Sequence, residues 1–166
     1  MIIGIDPGLD GALAVYAPKN HIVTTYAMPT VPGKKPGSRQ LDYRTLWQFL
    51  CDRRLHVSHV VIEDVHAMPK QGVVSSFNFG AMVGACKMAV AALGVPYTLV
   101  PPATWKAALG VSADKQSCLA RATQLFPVDS GQWTQSINKR PKATQDGPAE
   151  AALLAYYFWR FKGGGM

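Results

Sequence analysis

The stretch Ile2-Ile3-Gly4-Ile5-Asp6-Pro7-Gly8, followed by Gly11-Ala12, decides how the rest of the chain reads. Three β-branched residues favour an extended, buried strand, and Asp6-Pro7-Gly8 is a strong turn signal. An acid at the end of a buried strand needs a partner or a cation, because an isolated carboxylate leaves water only at high cost. Gly11 to Tyr16 and Ile22 to Tyr26 are further strand-like runs, separated by Pro18-Lys19-Asn20-His21. Residues 2–26 therefore read as an antiparallel meander.

Downstream, Val31 to Arg39 is rich in Pro, Gly and positive charge and reads as a loop. Leu41, Leu46, Phe49 and Leu50 recur at helical spacing, with Asp42 as N-cap. Val60-Val61-Ile62, ending in Glu63, has the continuous apolar character of a central strand covered on both faces. A loop from Pro69 to Ser76 precedes an Ala/Gly-rich helix from Phe77 to Leu93, which Gly94-Val95-Pro96 ends before the strand Tyr97 to Val100. Helices follow around Thr104 to Leu109 and Asp114 to Phe126. Pro127 to Gln145 reads as a polar linker, and a last helix from Asp146 carries Leu154, Tyr157, Phe158 and Phe161 on one stripe. This order suits an α/β fold with a mixed sheet and helices on both faces. The length suits a single domain over residues 1–166.

Seventeen Lys+Arg against ten Asp+Glu give a net charge of +7, which favours a polyanionic partner. A hydrophobic fraction of 48% with 16% charged residues excludes a disordered chain. Cys51, Cys86 and Cys118 form no CxxC pair and no zinc spacing with histidine, so reduced thiols and a cytoplasmic location are expected. Residues 1–6 read as a strand and not as a signal peptide. The apolar stretch Phe79 to Val95 is interrupted by Lys87 and reads as a buried helix; no membrane partner is expected.

The acids carry the chemistry. Asp6 and Glu63 each end a buried strand, while Asp146 and Glu150, four residues apart, share one face of the last helix. Each has a plainer role when taken singly: a turn residue, a solvated strand end, an N-cap, a dipole-favoured first-turn acid. Together they form the hard oxygen set that a two-metal phosphodiesterase needs, in which two ions about 3.5–4 Å apart stabilise the attacking and leaving oxygens.

The three segments also carry a family likeness. Ile3-Gly4-Ile5-Asp6-Pro7-Gly8 with Gly11-Ala12 resembles the opening strand and turn of the RuvC-type Holliday junction resolvases, which have the RNase H-like fold of a five-stranded mixed sheet flanked by helices. Val60-Val61-Ile62-Glu63 resembles their second acidic strand, and Asp146-Gly147-Pro148-Ala149-Glu150 with Ala151 to Leu154 their last acidic helix. Residues 63–77 are most similar to the phage-type and plant-organelle branches, which suits a phage-encoded or nucleoid-associated protein. The resemblance implies a dimeric endonuclease that nicks two opposed strands of a four-way junction through a metal-activated water, with two Mg²⁺ per active site and Mn²⁺ as a substitute. Asp6, Glu63, Asp146 and Glu150 would be the metal ligands and catalytic residues, Glu63 touching both ions. The family usually spaces its last two acids by three residues; here the spacing is four, which leaves open whether Asp146 or Glu150 is the main ligand.

The same resemblance marks DNA contacts. His66 stands where bacterial resolvases place an aromatic wedge, in a loop that also offers Lys70 and Phe77, and Lys106 and Lys115 match phosphate-binding lysines. The helix from Phe77 to Leu93 has almost no polar face, and Gly80 and Gly84 allow close backbone approach. It is therefore expected to pair with its two-fold mate in a homodimer, burial under the chain's own last helix being the competing arrangement. Two other functions compete: a branched-DNA binding protein that does not cut, and an RNase H-like nuclease acting on flaps or RNA–DNA hybrids. A non-cutting protein would be expected to lose its acids, since they repel phosphate.

Overall fold

The computed structural model describes residues 1–66, 72–112, 114–134 and 146–163. Along the chain run β1 (Ile2–Asp6), β2 (Ala12–Ala17), β3 (Ile22–Ala27), β4 (Thr30–Pro32), β5 (Arg39–Leu41), α1 (Tyr43–Arg53) and β6 (His59–Glu63). They are followed by α2 (Val73–Leu93), β7 (Tyr97–Val100), α3 (Pro102–Leu109), α4 (Lys115–Leu125), α5 (Gly131–Thr134) and α6 (Asp146–Phe161). Five strands form one mixed sheet in the order β3-β2-β1-β6-β7, antiparallel through β1 and parallel from β1 to β7. This is the expected α/β architecture.

Strand alternation fixes what faces what. Ile3, Ile5, Val60 and Ile62 share a core with Leu46 and Leu50 of α1 and with Met82, Cys86 and Val90 of α2. Ile2 and Val61 point the other way, into a core with Trp105 of α3, Cys118 of α4 and Ala151 to Ala155 of α6. Gly4, Asp6 and Glu63 have the parity of Ile2 and Val61, so they face α6.

Gly4 lets that helix down onto the sheet. A Cβ at Gly4 would lie 2.1 Å from the Ala151 carbonyl oxygen and 3.0 Å from the Ala155 nitrogen. One turn earlier, a Cβ on Gly147 would lie 2.6 Å from the Asp10 carbonyl oxygen. Residues 147, 151 and 155 thus form a row of small residues laid directly on β1 and its turn. Asp146 and Glu150 sit one position before two of them, at the end of α6 nearest the end of β1.

Three sequence expectations need correction. Residues 31–39 are not a plain loop: β4 and β5 pair as an antiparallel hairpin, with Val31 opposite Gln40. Gly33, Pro36 and Gly37 occupy its turn, while Pro32 ends β4 opposite Arg39. Helix α2 begins at Val73 and not at Phe77; Gly72 is its N-cap, and the Ser76 amide donates to the Gly72 carbonyl at 2.9 Å. Residues 127–145 are not wholly a polar linker, since α5 lies within them and Trp133 is fully buried. Asp129 and Gln132 bind the β3 edge, with Val23 N donating to Asp129 Oδ2 at 3.1 Å and Gln132 Nε2 donating to the Val23 carbonyl at 2.8 Å. These side chains occupy backbone groups that an open edge would present.

Helix α2 is long and apolar enough to cross a membrane, yet one side of it, with Met82, Val83, Cys86, Val90 and Leu93, is buried in the protein. The opposite side is exposed, so the helix is not fully buried as its composition suggests. Helix α6 does not cover it, because the two lie on opposite faces of the sheet.

Candidate active site

Parallel pairing brings the first two acids together. Ile5 of β1 stands opposite Ile62 of β6, so the next step along both strands sets Asp6 beside Glu63, on neighbouring strands and on one face. Helix α6 lies across that face and carries Asp146 and Glu150 to the same sheet end. Asp6 senses the other three. Burial first, and then the charges of Glu63, Glu150 and Asp146, hold the Asp6 carboxyl well above its ordinary range, with Lys106 acting weakly against them. Glu63 is also pushed up by burial, the Trp105 hydrogen bond opposing this and Glu150 adding to it. Glu63 is 6% exposed and is the one buried charged residue among the described residues.

Among the described residues, each of the four acids except Asp6 has a close hydrogen-bond or ion-pair partner. Trp105, fully buried on α3, donates Nε1–H to Glu63 Oε1 at 2.9 Å. Its neighbour Lys106 donates to Glu150 Oε1 at 2.7 Å, and the Cys118 thiol lies 3.4 Å from the same oxygen. Burial disfavours the Lys106 ammonium, but the Glu150 contact outweighs this and raises its pKa. Lys115, at the start of α4, pairs with Asp146 Oδ2 at 2.6 Å, which also raises its pKa. The lysines expected on phosphates are therefore ion-paired to the acids themselves, within the site and not beside it.

The donor set is hard oxygen, four acids deep, with more negative charge than its two lysines neutralise. That chemistry fits divalent cations. In the present side-chain positions, no group of three His, Cys, Asp or Glu among the described residues closes tightly enough to hold an ion. Lys106, Lys115 and Trp105 take up carboxylate oxygens instead.

The remaining sequence candidates lie farther out. His66 is highly exposed, 3.8 Å from Asp64 Oδ2, and Lys87 of α2 reaches Asp64 Oδ1 at 3.3 Å. Phe77 is 75% exposed near the start of α2. Lys70 lies outside the described residues.

Sequence reasoning missed Trp105 and Cys118. Thr104-Trp105-Lys106 carried a signal for the first, since an indole next to a site lysine on a short amphipathic helix points inward; nothing local marks Cys118. The sequence also gave no hint that Arg39 ties the β4–β5 hairpin to Asp10, in the turn after Asp6.

The architecture matches known structures over nearly its whole length. Thermus thermophilus RuvC in complex with a Holliday junction substrate superposes with a TM-score of 0.61 at 17% identity, covering 97% of this chain and 96% of that one. The fold is RuvC-like. Thermus thermophilus RuvC in a second structure gives a TM-score of 0.54 at 18% identity, over 96% of this chain and 95% of that one. The yeast mitochondrial Holliday junction resolvase Ydc2 gives 0.55 at 14% identity, over 98% of this chain and 78% of that one. No family model and no curated protein matches the sequence. The RuvC-like likeness is thus one of fold, at identities too low to align side chains by sequence alone.

Proposed function

We propose that this chain is a metal-dependent endonuclease that resolves four-way DNA junctions as a homodimer, each copy a single RNase H-like domain. The observation that carries the proposal is the convergence of Asp6, Glu63, Asp146 and Glu150, from three distant segments, at one end of a RuvC-like sheet. Acids from three distant segments gathered in a partly dry site are costly to the fold, and such a cost is kept where chemistry needs it.

Asp6, Glu63, Asp146 and Glu150 would hold the cations. When bound, two Mg²⁺ ions supply charge stabilisation to both the attacking and leaving oxygens of an in-line phosphodiester displacement. The protein's own groups set the rest. Trp105 fixes the orientation of Glu63 through one oxygen. Lys106 and Lys115 place two ammonium groups within the site, where they can meet the phosphate as well as the acids. His66, in the loop after β6, and Phe77, near the start of α2, are exposed and would stack on unpaired bases; Lys70, on the sequence likeness, would contact the DNA as well.

The outer row of α2 supports the dimer. Val73, Val74, Phe77 and Met88 are exposed large apolar residues, and a Cβ on Gly80 or Gly84 would meet nothing within 4 Å. An apolar, glycine-bearing helix face suits close packing against a second copy through a two-fold axis. Two sites so paired could nick opposed strands of one junction.

Cleavage of synthetic four-way, three-way and linear duplex DNA, in Mg²⁺ and in EDTA, tests the reading. The parent should nick four-way junctions only with the metal, and Glu63→Gln should bind junctions without cutting. Equal cutting of linear duplex would remove the resolvase assignment. Binding without cutting by the parent would leave a branched-DNA binding protein, and preference for flaps or RNA–DNA hybrids a different nuclease.

A further inference from the structure

Residues 30–41, Thr-Val-Pro-Gly-Lys-Lys-Pro-Gly-Ser-Arg-Gln-Leu, contain three cations and no acid. They form a hairpin built to hold its shape. The Gly33 amide donates to the Ser38 carbonyl at 2.8 Å, the Ser38 amide to the Lys35 carbonyl at 3.0 Å, and the Ser38 hydroxyl to that same carbonyl at 2.6 Å. Gly37 takes a φ of +74°, which closes the turn in a conformation that glycine adopts without strain. The tip exposes Lys34 and Lys35.

The root is fixed to the active-site turn. Arg39 Nη1 donates to the Leu9 carbonyl at 3.0 Å, and Nη2 to Asp10 Oδ1 at 2.5 Å. Asp10 in turn lies against Gly147, the residue after Asp146. The hairpin is therefore joined, through one turn, to the end of α6 that bears the acids. Lys115, ion-paired to Asp146, stands at that same end of α6.

Resting on the nuclease reading above, we propose that the β4–β5 hairpin is a DNA-backbone contact in which Lys34 and Lys35 meet phosphates of a duplex arm leaving the active site, with Arg39 as the residue that positions it. A hairpin serving only to cover the core would turn apolar side chains inward. Here Leu41 alone is buried, at the root, while the tip offers cations, Gly and Pro. That surface suits a polyanion and not an apolar protein partner. A duplex presents one charge per roughly 1.7 Å of its axis, so two adjacent lysines held in place find phosphates without reading sequence.

The test is the salt dependence of binding to a synthetic four-way junction, followed by fluorescence anisotropy in EDTA. Losing two phosphate contacts should reduce the slope of log affinity against log salt by about 1.8 in Lys34→Ala/Lys35→Ala. The parent's advantage over that variant should accordingly shrink about 12-fold between roughly 50 and 200 mM salt. Arg39→Met should weaken binding similarly, and removing the lysines in that background should add little, because they act only when held in place. Arg39→Lys should recover part of the loss. Unchanged slope and affinity in a parent that binds junctions would overturn the hairpin assignment while leaving the nuclease reading intact. A parent that fails to bind junctions would overturn both, and full additivity of the Arg39 and lysine variants would remove Arg39 from the positioning role.

Discussion

Gly4→Ala tests the packing on which the site depends. A Cβ there would sit 2.1 Å from the Ala151 carbonyl oxygen, whereas real Cβ atoms essentially never come within 3.0 Å of such a neighbour, so helix and strand must separate by about 0.9 Å. The obstructing atom is helical backbone, which cannot rotate away, and Ala151 to Ala155 are closely packed around it. Overpacking of this kind costs about 1–3 kcal/mol, and the rigid neighbour puts Gly4→Ala near the upper end. The displacement also carries Asp146 and Glu150 away from Asp6 and Glu63, and a misplacement of about 1 Å can cost on the order of 10²-fold in rate. Urea denaturation followed by circular dichroism reads the first effect, and junction cleavage under single-turnover conditions reads the second. Stability of Gly4→Ala within about 0.5 kcal/mol of the parent would refute the reasoning, because a surface-like tolerance means the helix does not rest on that strand.

Three further outcomes follow from the same geometry. Asp6→Asn removes an acid whose folded pKa burial, and then the charges of its neighbours, hold above the unfolded value; the penalty is present above the folded pKa and fades as pH falls toward the unfolded one. In EDTA at pH 7–8 the variant should therefore melt higher, by about 0.5–2 kcal/mol, while losing cleavage; a lower melting temperature in thermal denaturation would contradict the electrostatic account. Trp105→Phe keeps most of the ring but leaves the buried Glu63 Oε1 without its donor, which should cost about 1–3 kcal/mol in urea denaturation and raise the Mn²⁺ concentration needed for half-maximal binding by calorimetry; unchanged values for both would show that the bond orients nothing. Gly84→Arg places a charge on the open row of α2 and should halve the mass seen by sedimentation while leaving the circular dichroism spectrum intact; an unaltered dimer would move the interface elsewhere.

The sequence was most legible where local pattern and burial agree. The meander of β1 to β3, the N-cap Asp42 of α1 and the central strand β6 are all marked by residues within a few positions of one another. Asp6 and Glu63 were legible for the same reason, since a charge that ends an apolar run is a local contradiction. The β4–β5 hairpin was not, because its turn chemistry hides two strands of three residues each. Helix α5 was hidden likewise, because polar Asp129 and Gln132 spend their hydrogen bonds on a strand more than a hundred residues away.

By itself the sequence determined the kinds of groups the protein owns: buried acids at strand ends, a small-residue row on the last helix, an apolar helix with one charge, and an excess of cations. Only the tertiary structure decided which of these meet. Parallel register sets Asp6 beside Glu63, and Gly4 admits α6 closely enough to bring Asp146 and Glu150 to them. Trp105, Lys106 and Lys115 then close on the acids from two other helices. Such contacts depend on strand order and helix depth, which arise from the packing of the whole sheet and not from any one local stretch of chain.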